Sequence, residues 1–338
     1  VAEAFSRPFT RLSSDTIPEI LREGWGITPD FWSAFGSERD DTLRVEAGGT
    51  SYVLKVSHPE DDPQRLHRVL DLMVFVGQHQ LPFLTQTPIP TLTGELTFSV
   101  EGRLAHLLPF LDVTPIRHQP QGVSGVLSIG SAVWELQKAT ADFPSPYDTD
   151  HPWALGSLST ALSRLGNVEP IALKEACEMI MTTACDTTLT RLADLPSYPT
   201  HNDAHTDNVL VDDERVVGIA DWGDSVSQPQ IADLAVAASY ARGYHPMWLA
   251  GGPWDAALTL REGYLAAGGP DDGDDLFREL VLARLAQRIV LNLAIAAAAS
   301  DGGEYARRNM VNSVRDLRDL YTFRPSSVFP ELPQEASW

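Results

Sequence analysis

Two short strand-like runs, Val209-Leu210-Val211 and Val216-Val217-Gly218-Ile219-Ala220, flank the acidic stretch Asp212-Asp213-Glu214. β-Branched runs joined by so short a polar segment predict an antiparallel hairpin. A hairpin brings its two outer ends together, so Asn208 before the first strand and Asp221 after the second become neighbours. The chain must therefore fold around an amide oxygen and a carboxylate set side by side. Hard oxygen donors of this kind suit Mg²⁺, which typically binds through one or two carboxylates, substrate phosphates and water.

The rest of the chain divides by period. Asp15 to Trp25 reads as a short helix stopped by Gly26, after which the pattern becomes strand-like. Thr42 to Val45 and Ser51 to Val56 predict a hairpin turned at Ala47-Gly48-Gly49, followed by a helix over Leu66 to Gln78. Thr97 to Val100 and Leu104 to Phe110 fit two more strands. Beyond about Leu111 helical spacing dominates, with candidates at Val123–Asp142, Ile171–Leu192, Asp233–Tyr240, Ala256–Ala267, Leu276–Ala299 and Ala306–Tyr321. With 338 residues the chain exceeds one typical core, so an α+β protein of two lobes is expected.

Charge and composition exclude several classes. The 25 basic and 46 acidic residues give a formal charge of −21, a surface that repels nucleic-acid backbones. Leu276–Ala299 is strongly apolar, but Arg278, Glu279, Arg284, Gln287, Arg288 and Asn292 interrupt it, which predicts a buried helix rather than a membrane span. The N-terminus lacks the order of a secretory signal, and the expected location is cytoplasmic. Cys177 and Cys185 lie about two turns apart on one predicted helix, too far along its axis for a disulfide.

Asp203 precedes Asn208 by the spacing found between the base and the metal-binding Asn of the kinase catalytic loop H-R-D-x-x-x-x-N, although Asn202 stands here in place of Arg. The pattern His201-x-Asp203-x-x-x-x-Asn208 followed by Asp221-x-Gly223-Asp224 resembles the aminoglycoside phosphotransferase and choline kinase superfamily. Ser37-Glu38-Arg39-Asp40 leading to Tyr52-Val53-Leu54-Lys55, and Asp233-Leu234-Ala235-Val236-Ala237, are similar to its hydroxylysine-kinase-like subgroup. The resemblance implies a protein-kinase-like fold: residues 1–107 as a β-rich nucleotide-binding lobe, 108–111 as a hinge, and 112–338 as a mainly helical lobe with the acceptor site. It implies a small-molecule kinase using Mg²⁺ and ATP or GTP.

Roles for particular residues follow from the same resemblance. Asp203 would be the base, and Asn208 and Asp221 the metal ligands. Lys55 would contact the nucleotide phosphates, Ser37, Arg39 and Asp40 would cover them, and the backbone at Leu108 and Phe110 would read the base. His201 and Asp233 would support the catalytic loop. Kinase-like sites pair the strand lysine with a Glu on the next helix; that helix has none here, and Asp71 is its sole carboxylate. The acidic surface and Asp224 suggest an amine-bearing hydroxyl acceptor. His205, Arg284 and Arg288 are further candidates for contacting it, the arginines through a carboxylate.

Duller readings exist for each residue taken singly. Lys55 alone fits a strand lysine with its head in water, and Asn208 and Asp221 alone fit turn caps. His201, Asp203, His205 and Asp207 alternate, so on an extended segment they would share one face, as metallohydrolase ligands do. A catalytically degenerate nucleotide-binding module of the same fold is the remaining alternative, and the missing helix Glu is what supports it.

Overall fold

A computed structural model describes residues 10–35, 40–144, 146–244, 252–298 and 304–323. Among these the chain forms two compact units, one of residues 10–80 with 84–112, the other of residues 81–83 with 113 onwards.

The smaller unit contains α1 (Ile17–Trp25), β1 (Phe31–Ala34), β2 (Asp41–Ala47), β3 (Thr50–Val56), α2 (Pro63–Gly77), the two-residue β4 (Leu84–Thr85), β5 (Phe98–Val100) and β6 (Arg103–Pro109). A five-stranded antiparallel sheet runs in the order β1-β2-β3-β6-β5. The predicted hairpin is its centre, closed by Gly48 and Gly49 at φ 55° and 80°, left-handed values that two-residue turns of this kind demand. Strand β1 escaped the sequence reading because Phe31-Trp32-Ser33-Ala34 carries no clear alternation.

Register assigns the two faces of this sheet. Leu43, Val45, Leu54, Val56, Ala105 and Leu107 point to one side and pack on Ile17, Ile20, Leu21 and Trp25 of α1. The opposite side carries Lys55, flanked across the ladder by Thr42 and His106, with Arg44, Val53 and Leu108 in the next row. Asp41 and Arg103 form a buried ion pair of 2.7 Å, and Arg103 also donates to the carbonyls of Val56 and Ser57. This locks the ends of β2, β3 and β6 together.

Residues 108–111, the expected hinge, straddle the end of β6. Leu108 is a ladder residue opposite Val53, and the Phe110 amide donates to the Ser51 carbonyl at 3.1 Å. Strand β6 ends at Pro109, so this amide is engaged just beyond the strand. The division between the units falls after Asp112.

The larger unit contains β7 (Thr114–Pro115), α3 (Val123–Ala141), α4 (Leu158–Leu162), α5 (Ile171–Thr183), α6 (Leu189–Ala193), β8 (Ser197–Thr200), β9 (Val209–Asp212), β10 (Arg215–Ile219), β11 (Val226–Pro229), α7 (Gln230–Ala238), α8 (Ala241–Tyr244), α9 (Asp255–Ala266), α10 (Asp274–Ala298) and α11 (Glu304–Thr322). Helix α10 is its axis, packed against α5, α7 and α11. By length and composition it could cross a membrane, but its apolar stretch is 83% buried inside the unit, as a core helix is.

Several of the polar residues that interrupt α10 hold neighbouring segments. Glu279 accepts from Thr188 Oγ1 at 2.8 Å and pairs with Arg191, Gln287 Nε2 donates to the carbonyls of Pro152 and Ala154, and Arg288 Nη1 donates to that of Ser239. The predicted single helix over 171–192 is broken by a π-turn at Ala184–Thr188, where Thr188 reaches Glu279. Buried Cys177 lies on α5, its thiol pushed up to about 12 by desolvation. Helices α3 and α9 cross closely through Gly130 and Gly263. A Cβ on Gly130 would lie 1.9 Å from the Leu260 carbonyl oxygen, and one on Gly263 would lie 2.1 Å from that of Leu127.

Candidate active site

Two nested antiparallel ribbons build the site in the larger unit. The inner one is the predicted hairpin, β9 with β10, with Val209 opposite Ile219 and Leu210 opposite Gly218. The outer one, β8 with β11, pairs Thr200 with Val226 and Tyr198 with Gln228. Sequence reasoning missed the outer ribbon, because Ser197-Tyr198-Pro199-Thr200 is short and interrupted by Pro. Its consequence is that residues 201–208 and 220–225 are each fixed at both ends and face each other across a narrow gap.

Hydrogen bonds close that gap. The Ala220 amide donates to the Asn208 carbonyl at 2.9 Å. His201 Nε2 lies 3.1 Å from the Ala220 carbonyl, while the Asp203 amide donates to His201 Nδ1 at 3.3 Å. The proton therefore sits on Nε2 of a neutral ring. Desolvation holds the His201 imidazole down at about 4. The ring packs edge-on to Trp222, which is 1% exposed.

Asn202, the departure from the kinase pattern, has a physical reason. Its φ is 61°, a left-handed conformation that Asn tolerates better than most residues. Fully buried, it donates through Nδ2 to the Asp224 carbonyl at 3.1 Å and accepts from Gln228 Nε2 at 2.9 Å. Its amide donates to Asp233 Oδ1 at 2.7 Å, and Asp233 Oδ2 accepts from Gln137 Nε2 at 3.0 Å. Asp233, on the first turn of α7, thus braces the catalytic loop from behind.

The reactive groups stand on that frame. Asn208 Nδ2 donates at 2.9 Å both to the Asp203 carbonyl and to Asp203 Oδ2. With its amide nitrogen so committed, Asn208 presents Oδ1 as the atom for a cation. Asp221, two residues beyond the Ile219 that pairs with Val209, also has a left-handed φ of 63°, and its Oδ1 accepts from the Gly223 amide at 3.3 Å. An amide oxygen and a carboxylate are too few to enclose an ion, yet they fit Mg²⁺, which keeps phosphate and water in its shell.

The remaining predicted residues fall into place unevenly. His205 accepts from the Asp207 amide at Nδ1 (2.9 Å), and its Nε2 lies 3.5 Å from Asp203 Oδ2; burial holds its imidazole below the usual range. Asp224 Oδ1 lies 3.6 Å from His151 Nε2. The segment bearing His151 is docked by Tyr147 Oη on Ser225 Oγ at 2.6 Å, a contact sequence gave no sign of.

Arg284 is a correction. Only 1% exposed, it donates to the Trp153 carbonyl and to Gln287 Oε1, so it holds the 152–154 segment and has no access to an acceptor. Asp71 lies on the exposed stripe of α2 with Gln64 and His67, facing solvent. Asp40 is partly buried, and its carbonyl accepts from Arg11 Nη1. Ser37 and Arg39 lie outside the described residues.

The alternating His201, Asp203, His205 and Asp207 do not share a face. The backbone turns, with the His205 amide bonded to the Asp203 carbonyl and the Asn208 and Val209 amides to the His205 carbonyl. Asp207 pairs with Arg117 at 2.6 Å. Among the described residues no three His, Cys, Asp or Glu side chains gather around a possible metal position.

Two stability predictions follow from the frame. Asp233→Ala strips the acceptor from two buried donors and a negative charge that interacts with Arg284, which is expected to cost about 3–5 kcal/mol. Chemical denaturation measures it, and an unchanged midpoint would rule out the bracing role. For His201 the folded value is depressed, so its neutral form contributes stability that is complete above pH about 6.5 and is lost as pH falls towards about 4. His201→Gln is expected to flatten the decline of unfolding free energy across that window.

The architecture, α+β with a β-rich unit and a larger helical unit bearing the H-x-D-x-x-x-x-N loop, is that of the kinase-like phosphotransferases. The chain matches the model of the phosphotransferase enzyme family over residues 32–276 and belongs to that family. Among solved structures, an amicoumacin kinase bound to AMP-PNP and Ca²⁺ is similar, with a TM-score of 0.69 at 12% identity over 94% of this chain and 96% of that one. A microcompartment-associated aminopropanol kinase gives 0.65 at 14% identity, covering 91% and 100%. A spectinomycin phosphotransferase bound to ADP and spectinomycin gives 0.58 at 14%, covering 94% and 97%. At such identities the likeness is one of fold. The sequence has no significant match among curated proteins.

Proposed function

We propose that this protein is a kinase that transfers the γ-phosphate of ATP or GTP to a hydroxyl of a small, amine-bearing acceptor. The observation that carries the reading is the double hydrogen bond from Asn208 to Asp203, set against Asp221 by the hairpin. It joins the expected base to the expected metal ligand with fixed polarity. Similar structures contain nucleotides and a divalent cation, which supports both partners.

Phosphoryl transfer asks the protein mainly to position reactants and offset charge. Asp203 accepts a hydrogen bond from the acceptor hydroxyl and takes its proton as the new P–O bond forms and the bond to the β-phosphate oxygen breaks. Its carboxylate is 17% exposed, open enough to meet a substrate. Asn208 keeps that carboxylate turned outward. Mg²⁺ held by Asn208 and Asp221 would neutralise charge on the transferred group and the leaving nucleoside diphosphate. Lys55, on the sheet face away from the α1 core, is assigned the nucleotide phosphates.

Asp224 supplies the reason for an amine. Its side chain is 29% exposed beside His151, in a protein of net charge −21, so it suits a cationic group. Nucleoside-diphosphate release is to be followed with ATP and GTP, in Mg²⁺, against hydroxylated amines, amino acids, amino sugars and aminoglycosides. Acceptor-dependent release is expected with at least one class. Nucleotide binding without release against any of them would favour a degenerate module, and neither binding nor release would end the kinase reading.

A further inference from the structure

His201 and His205 use one local arrangement twice and turn it to different ends. In each, the ring Nδ1 accepts from the amide two residues further on, that of Asp203 at 3.3 Å and that of Asp207 at 2.9 Å. A ring nitrogen that accepts bears no proton, so in both rings the proton sits on Nε2. The Nε2–H of His201 is spent on the Ala220 carbonyl at 3.1 Å. That of His205 faces a carboxylate instead, 3.5 Å from Oδ2 of Asp203, the expected base.

The other groups of His205 are committed to the loop. Its amide donates to the Asp203 carbonyl at 2.8 Å, and its carbonyl accepts from the Asn208 and Val209 amides at 3.1 Å each. The ring leans on Tyr240, with centroids 5.7 Å apart. Asp207, whose amide orients the ring, is itself held by Arg117 Nη1 at 2.6 Å, and the Arg117 amide donates to the Thr206 carbonyl at 3.1 Å. The imidazole therefore has a fixed place and a fixed tautomer, with Nε2–H as the group it presents to the reactive carboxylate.

The chemistry of that group narrows what it can do. A protonated Nε2 neither ligates a cation nor accepts a hydroxyl proton, so the ring is not a metal ligand or a second base. It donates, and Asn208 Nδ2 already donates to the same Asp203 Oδ2 at 2.9 Å. Two donors converging on one oxygen set the rotation of a carboxylate more closely than one does. At 3.5 Å the His205 contact is longer than an ordinary N–H···O bond, and such contacts commonly tighten when substrate fills a site.

We propose that His205 is a positioning residue: its Nε2–H and the Asn208 amide together hold Asp203 Oδ2, so that the carboxylate meets the acceptor hydroxyl in one orientation. His205 then acts through Asp203 and touches neither acceptor nor nucleotide. The inference rests on the kinase reading and adds to it the residue that aims the base. Its weight is that of orientation, where a misplacement of about 1 Å can cost about 10²-fold in rate.

Two amide substitutions separate this role from loop building. His205→Asn keeps an oxygen near the place of Nδ1, within reach of the Asp207 amide, and removes the Nε2–H. His205→Gln puts an NH₂ group near the place of Nε2 and gives up the Nδ1 acceptor. Nucleoside-diphosphate release is read with ATP or GTP, Mg²⁺ and the acceptors of the screen above. His205→Asn is expected to lower kcat by about 10–10²-fold, with acceptor KM and affinity for a non-hydrolysable ATP analogue within about 3-fold of wild type. His205→Gln is expected to recover most of that loss. A loop-building role predicts the reverse order; that order, equal losses in both variants, or a raised acceptor KM at unchanged kcat overturns the inference.

If a variant does not fold, or no acceptor is turned over, protein labelled with ¹⁵N-histidine decides. Its ring shifts are expected to place the His205 proton on Nε2, and Asp203→Asn is expected to move that proton's signal. A proton on Nδ1, or a signal that Asp203→Asn leaves in place, overturns the inference. Absence of nucleotide binding by the wild-type protein marks the failure of the kinase reading instead, and the same spectra still read the contact between His205 and Asp203.

Discussion

Asp203→Asn is expected to lower turnover by about 10²–10⁴-fold while leaving nucleotide affinity unchanged. The substitution keeps the shape of the side chain. Its amide oxygen can still accept from Asn208 Nδ2, as Asp203 Oδ2 does at 2.9 Å, so the loop need not move. What then faces the acceptor is an NH₂ group, which donates where the reaction needs an acceptor for the hydroxyl proton. Steady-state kinetics beside nucleotide titration separate the two effects. Unchanged turnover would remove Asp203 from the chemistry, and a parallel loss of nucleotide affinity would mean that the loop had been disturbed.

Asp221→Asn is expected to abolish the Mg²⁺-dependent part of nucleotide binding, a loss of about 10²-fold or more. Alanine is the poorer choice at this position. At a φ of 63° a residue without a short polar side chain costs roughly 1–2 kcal/mol, which would mix strain with metal loss. Asn adopts this conformation readily and can still accept from the Gly223 amide, so it removes charge alone. Titration of nucleotide with and without Mg²⁺ reads the result. An intact metal dependence in Asp221→Asn would place the cation elsewhere.

The two substitutions divide the work between the loops. Asp203 and Asn208 belong to residues 201–208 and Asp221 to residues 220–225, and the hairpin between them sets their spacing. A base without its metal ligands, or the reverse, would show as turnover and binding failing separately.

Much of this was legible in the chain. Alternating apolar runs with turn residues between them specify local pairing, so the β9–β10 hairpin and the β2–β3 hairpin could be placed from residues alone. Because a hairpin joins its own ends, the proximity of Asn208 and Asp221 followed without any tertiary information. The longer helices of the larger unit were legible for the same local reason, through their apolar spacing, while the short α4 and α8 were not.

What the folded structure alone decided depends on contacts distant in sequence. The ribbon β8–β11 joins segments some 26 residues apart, as in Thr200 to Val226, and nothing in either tetrapeptide names its partner. The same holds for the brace from Gln137 through Asp233 to Asn202, and for the fates of Arg284 and Arg288, one turn apart on α10. Arg284 donates to the Trp153 carbonyl and the Gln287 amide oxygen but leaves its buried Nε without a partner among the described residues, while Arg288 donates to Ser239 and stacks on Tyr240. Local sequence determines which groups are present and which neighbours along the chain pair. Which buried charge is satisfied is settled only when remote segments pack, because desolvation and hydrogen bonding are properties of the assembled interior.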